Sequence, residues 1–217
     1  MPAIARSVAE LRDQVRLWRR QGLTVGFVPT MGALHEGHLT LVRRALAAAD
    51  RVAVSIFVNP TQFAPTEDLD RYPRDEAGDL AKLAGAGAQL VFLPTVAEMY
   101  PEGASTWVEV LGLSQGLCAE RRPHHFRGVA TVVTKLLNQA QADIAIFGEK
   151  DYQQLQIIKR LTRDLAIPTV IDGGPTVREP DGLAMSSRNL NLAAEQRRTA
   201  ASLYRVLAET AAALADG

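Results

Sequence analysis

Short apolar runs alternate with longer amphipathic stretches along this chain, and this alternation restricts the possible folds more than any other feature. The apolar runs cover residues 24–29, 51–58, 89–93, 143–147 and 168–171. The amphipathic stretches between them cover residues 38–49, 75–85, 126–141 and 151–166. Apolar residues at helical spacing indicate helices, and short continuous apolar runs indicate strands buried on both faces. The pattern predicts an α/β fold with a Rossmann-like parallel sheet and helices on both faces.

Two segments depart from this alternation. Residues 106–110 (TWVEV) alternate polar and apolar side chains, which predicts a half-exposed strand at a sheet edge or an interface. Residues 173–181 are rich in turn formers, and an alanine-rich helix is predicted over 193–215. The turn-rich stretch therefore predicts a boundary between the α/β region and the carboxyl-terminal segment.

Charge and composition exclude several classes of protein. The 24 basic and 24 acidic side chains cancel, whereas coating nucleic acid or an anionic membrane needs a large uncompensated positive field. The single cysteine, Cys118, forms no internal disulfide, which fits a reducing compartment. No apolar run approaches the ~18 residues of a membrane span, and the charged amino terminus does not resemble a secretory signal. We expect a cytoplasmic enzyme or binding protein with neither a nucleic-acid nor a membrane partner.

The loop after the first predicted strand, residues 29–38 (PTMGALHEGH), carries the strongest local signal. Open parallel sheets bind ligands at the carboxyl ends of their strands, beside helix amino termini that hold anions. The loop matches neither the Walker loop nor the dinucleotide fingerprint. Instead His35 and His38 lie on one side of a helix start, and Gly37 lets the backbone approach a ligand. These imidazoles are placed to donate to phosphate oxygens, whereas a zinc site would need further ligands.

Two other strand ends carry candidate ligand groups. Asn59 and Gln62 follow the second strand and can hydrogen-bond a small polar substrate, although Asn-Pro also begins ordinary turns. Lys150 follows the fourth strand at the start of a helix and is one of only four lysines, which favours a phosphate contact. We expect replacement of Lys82 by alanine to be silent, in contrast to replacement of Lys150.

Two further clusters allow two interpretations each. Residues 185–188 (MSSR) offer two hydroxyls and a guanidinium, which suits either a phosphate clamp or a helix cap with a surface charge. Residues 121–128 (RRPHHFRG) concentrate positive and titratable groups ahead of a helix. They predict either an anion-binding site or a basic helix cap and protein contact surface.

Taken in chain order, the motifs PTMGALHEGH, NPTQF, YPR, HHFRGV, FGEKDYQQ and AMSSRN closely resemble the pantoate–β-alanine ligase family of the cytidylyltransferase-like nucleotidyltransferase superfamily. The resemblance runs from residue 23 to residue 192, and the full series is far more specific than the HxGH motif alone. It implies that ATP and pantoate form pantoyl adenylate and pyrophosphate, and that the β-alanine amine then displaces AMP. A nucleotidyltransferase that adenylylates another small acid is the alternative enzyme.

The resemblance also implies roles for individual residues. His38 is in the position of a proton donor, and His35, Lys150 and Arg188 join it as catalytic residues. The ATP-binding residues would be Met31, Gly32, Ala33, Leu34, His35, Glu36, Gly37, His38, Gly148, Glu149, Lys150, Asp151, Val177, Met185, Ser186, Ser187 and Arg188. Gln62 would bind pantoate and β-alanine, and Gln154 would bind pantoate.

Physical chemistry is consistent with these roles. Carboxylate attack on the α-phosphorus spreads negative charge over phosphoryl oxygens, so catalysis needs positioned donors and no protein nucleophile. Mg²⁺ is expected to accompany ATP, held largely by phosphates and water. The family's acidic pair after YPR stands here as Gly78 and Asp79, so one carboxylate is missing and the metal ligands stay unassigned.

The resemblance finally bears on domain organisation. Family members carry a small carboxyl-terminal domain that folds over the active site, so 1–174 would be the nucleotide-binding catalytic domain and 175–217 the truncated start of that lid domain. We expect ATP binding to survive and turnover to suffer, because a lid excludes water from the adenylate. A catalytically impaired nucleotide-binding fragment is therefore a second alternative. The family is usually dimeric, and 106–110 is the candidate interface for a homodimer.

Overall fold

A six-stranded, all-parallel sheet forms the centre of the computed structural model, which describes residues 1–215. Its strands are β1 Ala3–Ala5, β2 Val25–Thr30, β3 Arg51–Ile56, β4 Leu90–Phe92, β5 Ile144–Gly148 and β6 Val170–Gly174. The spatial order is β1-β4-β3-β2-β5-β6. The central strands are rich in β-branched and aromatic residues, and Phe27, Val28 and Val54 are completely buried.

Helices cover both faces of this sheet. They are α1 Val8–Arg20, α2 Glu36–Ala48, α3 Glu76–Ala86, α4 Val96–Met99, α5 Cys118–Arg121, α6 His125–Ala140, α7 Tyr152–Asp164, α8 Ala194–Ala200 and α9 Ser202–Ala215. Buried residues of α1, α6 and α7 form one apolar core against the sheet, and those of α2 and α3 form a second. The predicted Rossmann-like α/β fold is confirmed, and every predicted strand except 106–110 is present.

The strand order creates a crevice between β2 and β5. These two strands are neighbours, but the chain leaves β2 through α2 toward β3 and leaves β5 through α7 toward β6. The loops that follow the two strands therefore diverge, and such switch points are where open parallel sheets bind ligands. This arrangement brings residues 31–38 and residues 149–154 to the same edge.

The strand predicted over 106–110 is wrong. This segment has no regular structure, and the backbone N–H of Val108 donates to the hydroxyl of Thr131 on α6 instead of to a neighbouring strand. Trp107 is 48% exposed, and the guanidinium carbon of Arg127 lies over its ring, 4.9 Å from the ring centroid. Polar alternation here reflects a loop that packs one side on α6, with Val110 buried and Trp107 and Glu109 exposed.

Two amino-terminal elements were not predicted. Strand β1 is only three residues long, too short for a periodic pattern to show. Helix α1 begins with a capping box, in which the Ser7 side chain accepts from the Glu10 backbone and the Glu10 carboxylate accepts from the Ser7 backbone. The Ser-x-x-Glu signature was readable in the sequence.

The carboxyl-terminal segment differs in detail from the prediction. The helix expected over 193–215 is two helices, α8 and α9, separated at Ala201. None of the residues of α9 is buried. Strand β6 ends at Gly174, next to the predicted boundary, and the division into two domains remains a prediction. Within residues 1–215, no helix has the length and apolarity needed to cross a membrane.

Candidate active site

A pocket of about 240 Å³ opens at the carboxyl ends of β2 and β5. Fourteen sequence-predicted site residues line it: Met31, His35, Gly37, His38, Gln62, Gly148, Lys150, Asp151, Gln154, Val177, Met185, Ser186, Ser187 and Arg188. The other five predicted residues, Gly32, Ala33, Leu34, Glu36 and Glu149, do not line it. Gly32 and Leu34 are buried behind the loop surface, and exposed Glu36 pairs with Arg43.

The loop between β2 and α2 adopts an unusual backbone shape. Gly32 and Ala33 have positive φ angles of 84° and 50°, a backbone conformation that residues other than glycine rarely adopt. The Gly32 N–H donates to the Thr30 hydroxyl, and the next two amides are held by the buried carboxylate of Asp79. The chain leaves this turn with His35 at the N-cap of α2.

His35 and His38 lie against each other in the pocket wall. Their ring centroids are 4.1 Å apart, and the backbone N–H of His35 donates to Nδ1 of His38 across 3.3 Å. Because Nδ1 of His38 accepts, its Nε2 carries the hydrogen of the neutral ring. A side chain at Gly37 would bring a Cβ atom within 2.9 Å of the His35 ring. The glycine of the HxGH motif therefore makes room for its first histidine.

The environment of these rings favours their neutral forms. Burial lowers the pKa of His38 to about 3, and repulsion from His35, Lys150 and Lys82 adds to the effect. Burial is also the largest cause of a lowered pKa at His35, followed by Lys150 and Lys82. The Nδ1 atom of His35 is buried and has no hydrogen-bond partner among the described residues.

A 3-10 turn, Pro60–Gln62, positions Gln62 in the pocket, where its side-chain nitrogen lies 3.2 Å from the sulfur of Met31. The side-chain amide of Asn59 donates to Oε1 of Gln62 at 3.0 Å and to the carbonyl of Gly128 at 3.3 Å. Helix α6 approaches the turn so closely that a Cβ atom at Gly128 would lie 2.3 Å from the Thr61 carbonyl oxygen. Asn59 thus begins a turn, as one sequence interpretation predicted, and its side chain also orients Gln62, the predicted substrate ligand.

The cluster 121–128 contributes mainly to this turn. Arg122 forms two 2.6 Å hydrogen bonds to the Glu67 carboxylate, and one of its nitrogens also donates to the Gln62 carbonyl at 3.3 Å. Nδ1 of His125 lies 2.9 Å from the same carbonyl, whereas His124 is exposed and does not line the pocket. Burial lowers the pKa of His125. Arg122 is thus paired in the pocket wall, a role that neither sequence interpretation anticipated.

The basic groups of the two remaining motifs also reach the pocket. Lys150 lines the pocket with its Nζ 3.3 Å from the Asp151 carboxylate. Arg188 makes two hydrogen bonds of 3.0 and 3.1 Å to Asp68, which raise its pKa. Ser186 accepts from the Arg188 N–H and caps a 3-10 turn, so the MSSR segment combines a cap with a guanidinium beside the pocket.

An apolar wall completes the pocket and was not predicted as part of the site. It consists of Leu41, Val129, Val132, Val133, Leu136 and Phe147. Most of these residues come from α6, whose pattern indicated only a buried helix. The helical spacing of its apolar residues was visible in the sequence, but which of them face a cavity depends on how α6 packs.

Two residues of α3 contact the loop between β2 and α2. Lys82 is not remote from the site, because its Nζ donates to the Leu34 carbonyl at 2.8 Å and lies 3.8 Å from Asp79. Asp79 does not fit a metal ligand, since it is 1% exposed and both oxygens accept backbone N–H groups. Within residues 1–215, no group of three or more His, Cys, Asp or Glu side chains is arranged to hold a metal ion.

Sequence comparison places these features among known proteins. The sequence model of the family described as pantoate-beta-alanine ligase matches residues 3–216. A pantothenate synthetase of Rhodospirillum rubrum is 59% identical over 99% of this chain and 76% of its own length. One of Myxococcus xanthus is 58% identical over 100% of this chain and 74% of its own length. The chain thus spans about three quarters of these relatives.

Solved structures that resemble this chain come from the same family. The crystal structure of pantothenate synthetase from Thermus thermophilus superposes with a TM-score of 0.87 at 52% identity, covering 94% of this chain and 72% of that one. A pantoate-beta-alanine ligase from Francisella tularensis, complexed with beta-gamma ATP and beta-alanine, superposes with a TM-score of 0.90 at 40% identity. That match covers 95% of this chain and 79% of the other.

Proposed function

This chain belongs to the pantoate–β-alanine ligase family and is an ATP-dependent ligase that joins pantoate to β-alanine, and we propose how its pocket divides that reaction among its residues. One observation carries the proposal: groups that suit phosphate and amides that suit a small polar acid line a single pocket at the switch point of the sheet. The ligation then proceeds through pantoyl adenylate, with pyrophosphate released first and AMP second.

The triphosphate is bound by the histidine wall and by the two basic motifs. His35 and His38 follow β2, Lys150 follows β5, and Arg188 reaches the same pocket from the MSSR segment. When the pantoate carboxylate attacks the α-phosphorus, negative charge grows on the phosphoryl oxygens and on the departing pyrophosphate. Fixed donors stabilise that charge without rearranging, which is the largest contribution that a site of this kind makes.

His38 acts as a neutral donor in this step. Its Nε2 carries the hydrogen because Nδ1 is occupied by the His35 N–H. The lowered pKa means that the free enzyme holds this ring uncharged at neutral pH. The N–H of a neutral imidazole donates a hydrogen bond to a phosphoryl oxygen, and no ion pair of the ring has to break first. The proton-donor role that the family resemblance implies therefore needs no protonated His38 before ATP binds.

Pantoate is bound between the amides and the apolar wall. Gln62 and Gln154 line the pocket and can hydrogen-bond the carboxylate and hydroxyl groups of the acid, and Gln62 also serves β-alanine. The two methyl groups of pantoate suit the valine and leucine side chains of α6, because burying them there removes apolar surface from water. The hydrogen bond from Asn59 fixes the side-chain orientation of Gln62, which supports the role of Gln62 in binding substrate.

Four broader features are also part of the proposal. Mg²⁺ would accompany ATP and would be held by phosphate oxygens and water, since Asp79 is buried and both of its oxygens accept N–H groups of the loop. The exposed apolar side chains of Trp107, Leu111 and Leu117 support a homodimer interface in the irregular segment that contains residues 106–110. Residues 1–174 form the catalytic domain, and residues 175–217 belong to a second one. The cytoplasm supplies the ATP.

The decisive experiment is exchange of radioactive pyrophosphate into ATP. We expect exchange with pantoate in the absence of β-alanine, and release of AMP only when β-alanine is also present. The second measurement separates complete turnover from nucleotide binding with an impaired second step. Exchange with another small hydroxy acid and none with pantoate would contradict the proposed division of the pocket and favour a nucleotidyltransferase of different specificity.

A further inference from the structure

We propose that Asp79 and Lys82 of α3 act together as positioning residues that hold the loop 31–35 in its catalytic shape, which rests on the proposed function of that loop in binding ATP. We call this pair the loop clamp. Neither residue lines the pocket, so the clamp acts through the backbone of the loop and not through contact with substrate.

The carboxylate of Asp79 holds two consecutive amides. Its Oδ2 accepts from the Ala33 N–H at 2.8 Å, and its Oδ1 accepts from the Leu34 N–H at 2.7 Å. A carboxylate that accepts backbone N–H groups at these distances makes strong, charge-assisted hydrogen bonds. The residue is 1% exposed, so water does not compete for these oxygens.

Lys82 holds the other side of the same residue. Its Nζ donates to the Leu34 carbonyl at 2.8 Å and lies 3.8 Å from Oδ1 of Asp79. Both backbone polar groups of Leu34 are therefore bonded to α3, by side chains one turn apart. The ammonium also neutralises the buried carboxylate, which would otherwise be costly to keep ionised.

The loop needs such support because of its backbone. Gly32 and Ala33 both have positive φ angles, and the second of these residues has a Cβ atom that disfavours this region. A strained conformation persists only where its surroundings over-determine it. His35 follows directly at the N-cap position of α2, so a shift of Leu34 moves the His35 backbone and, through the hydrogen bond from its N–H, the ring of His38.

The location of the clamp also adds positive potential to the ATP site. Burial is the largest cause of the lowered pKa of both His35 and His38, and repulsion from the Lys82 ammonium contributes to it. The same charge favours a bound triphosphate. Loss of Lys82 should therefore weaken ATP binding while leaving the pantoate ligand Gln154, on α7, in place.

The test compares Lys82→Met, Lys82→Arg and Asp79→Asn with the matched control Lys159→Met, whose side chain lies on the exposed face of α7. We expect Lys82→Met to lower kcat/KM for ATP by about tenfold to hundredfold, because small displacements of catalytic groups cost that much, with KM for pantoate nearly unchanged. Lys82→Arg should recover most of the loss, since it can still donate to Leu34. Equal kinetics of Lys82→Met and Lys159→Met would overturn the clamp.

Two further measurements separate the clamp from other roles of Asp79. Amide hydrogen exchange at Ala33 and Leu34 should be slow in the unaltered chain and fast in Asp79→Asn and Lys82→Met, and unchanged exchange would overturn the clamp. The Asp79→Asn defect should be the same at low and high Mg²⁺ concentration. Restoration of its activity by added Mg²⁺ would make Asp79 a metal ligand and overturn its role in the clamp. Absence of pantoate-dependent exchange in the unaltered chain would refute the proposed function, whereas the amide measurements would still test the clamp.

Discussion

The backbone N–H of His35 donates a hydrogen bond to Nδ1 of His38 across 3.3 Å, so the first histidine of the HxGH motif sets the tautomer of the second. The proton of the neutral His38 ring then resides on Nε2. The spacing of three residues is what allows this, because an N-cap amide reaches the side chain three positions later in the first helical turn. The motif is therefore an internally organised pair of donors.

Replacing His38 with alanine removes this donor. We expect the rate of pantoate-dependent exchange to fall by about 10²-fold to 10³-fold, as observed when a single transition-state donor is deleted. The free energy of unfolding, measured with urea, should change little. The control is His124→Ala, because His124 is exposed and does not line the pocket. Near-normal exchange by His38→Ala would exclude a transition-state role.

The pH dependence of stability provides a second prediction. His38 has a pKa of about 3 in the folded chain against 6.5 for an unperturbed histidine, so the unfolded chain binds a proton that the folded chain excludes. Stability should therefore decrease as pH falls from about 6.5 toward 3. His38→Gln should reduce this slope in urea denaturation series, and an identical slope in both proteins would contradict the buried neutral ring.

The same pKa predicts the appearance of the ring in spectra. In the free enzyme, the imidazole nitrogens of His38 should show the pattern of a neutral Nε2–H tautomer from about pH 5 to pH 8. Nitrogen NMR of histidine-labelled protein measures this directly, and His38→Gln identifies the signal. A His38 signal that titrates near the unperturbed value of 6.5 would show that burial does not control its charge.

Gly128→Ala should disturb the substrate wall specifically. The added Cβ atom would lie 2.3 Å from the Thr61 carbonyl oxygen, so the Pro60–Gln62 turn must move. We expect a loss of about 1 to 3 kcal/mol in stability and a higher KM for pantoate, with ATP binding nearly unchanged. Gly85→Ala on α3 is the control, since nothing lies within 4 Å of its added Cβ atom. Equal behaviour of both variants would show that the close approach is unimportant.

Lys150 should be the lysine on which adenylation depends most. Lys150→Ala removes an ammonium that lines the pocket, and we expect the exchange rate to fall by about a hundredfold or more. Lys159→Ala should stay within about twofold of the unaltered chain, because surface substitutions of this kind change little. A similar loss in both variants would indicate a general electrostatic effect instead of a placed charge.

The sequence predicted the groups that face ATP better than the groups that hold them. The histidines, Lys150 and Arg188 stand in short motifs, most of them at strand ends, and a parallel sheet brings strand ends together whatever its details. Asp79 and Lys82 contact the loop from another helix, and nothing in their local pattern indicates a partner 45 residues or more away. The error at 106–110 has a similar origin, because Thr131 supplies from α6 the hydrogen bond that a strand would have made.

The adjacency of β2 and β5 has a consequence for biosynthesis and folding. Gly26 pairs with Ile144, so the seam beneath the pocket joins parts of the chain that emerge from the ribosome far apart in time. A nascent chain that ends before β5 carries His35 and His38 but lacks Lys150. Pairing of β2 with β5 closes a long loop, and the entropy lost in closing it slows folding. Nucleotide bound across this seam would stabilise the finished sheet over its unfolded forms, so ATP in the cell would act as a ligand that selects completed molecules.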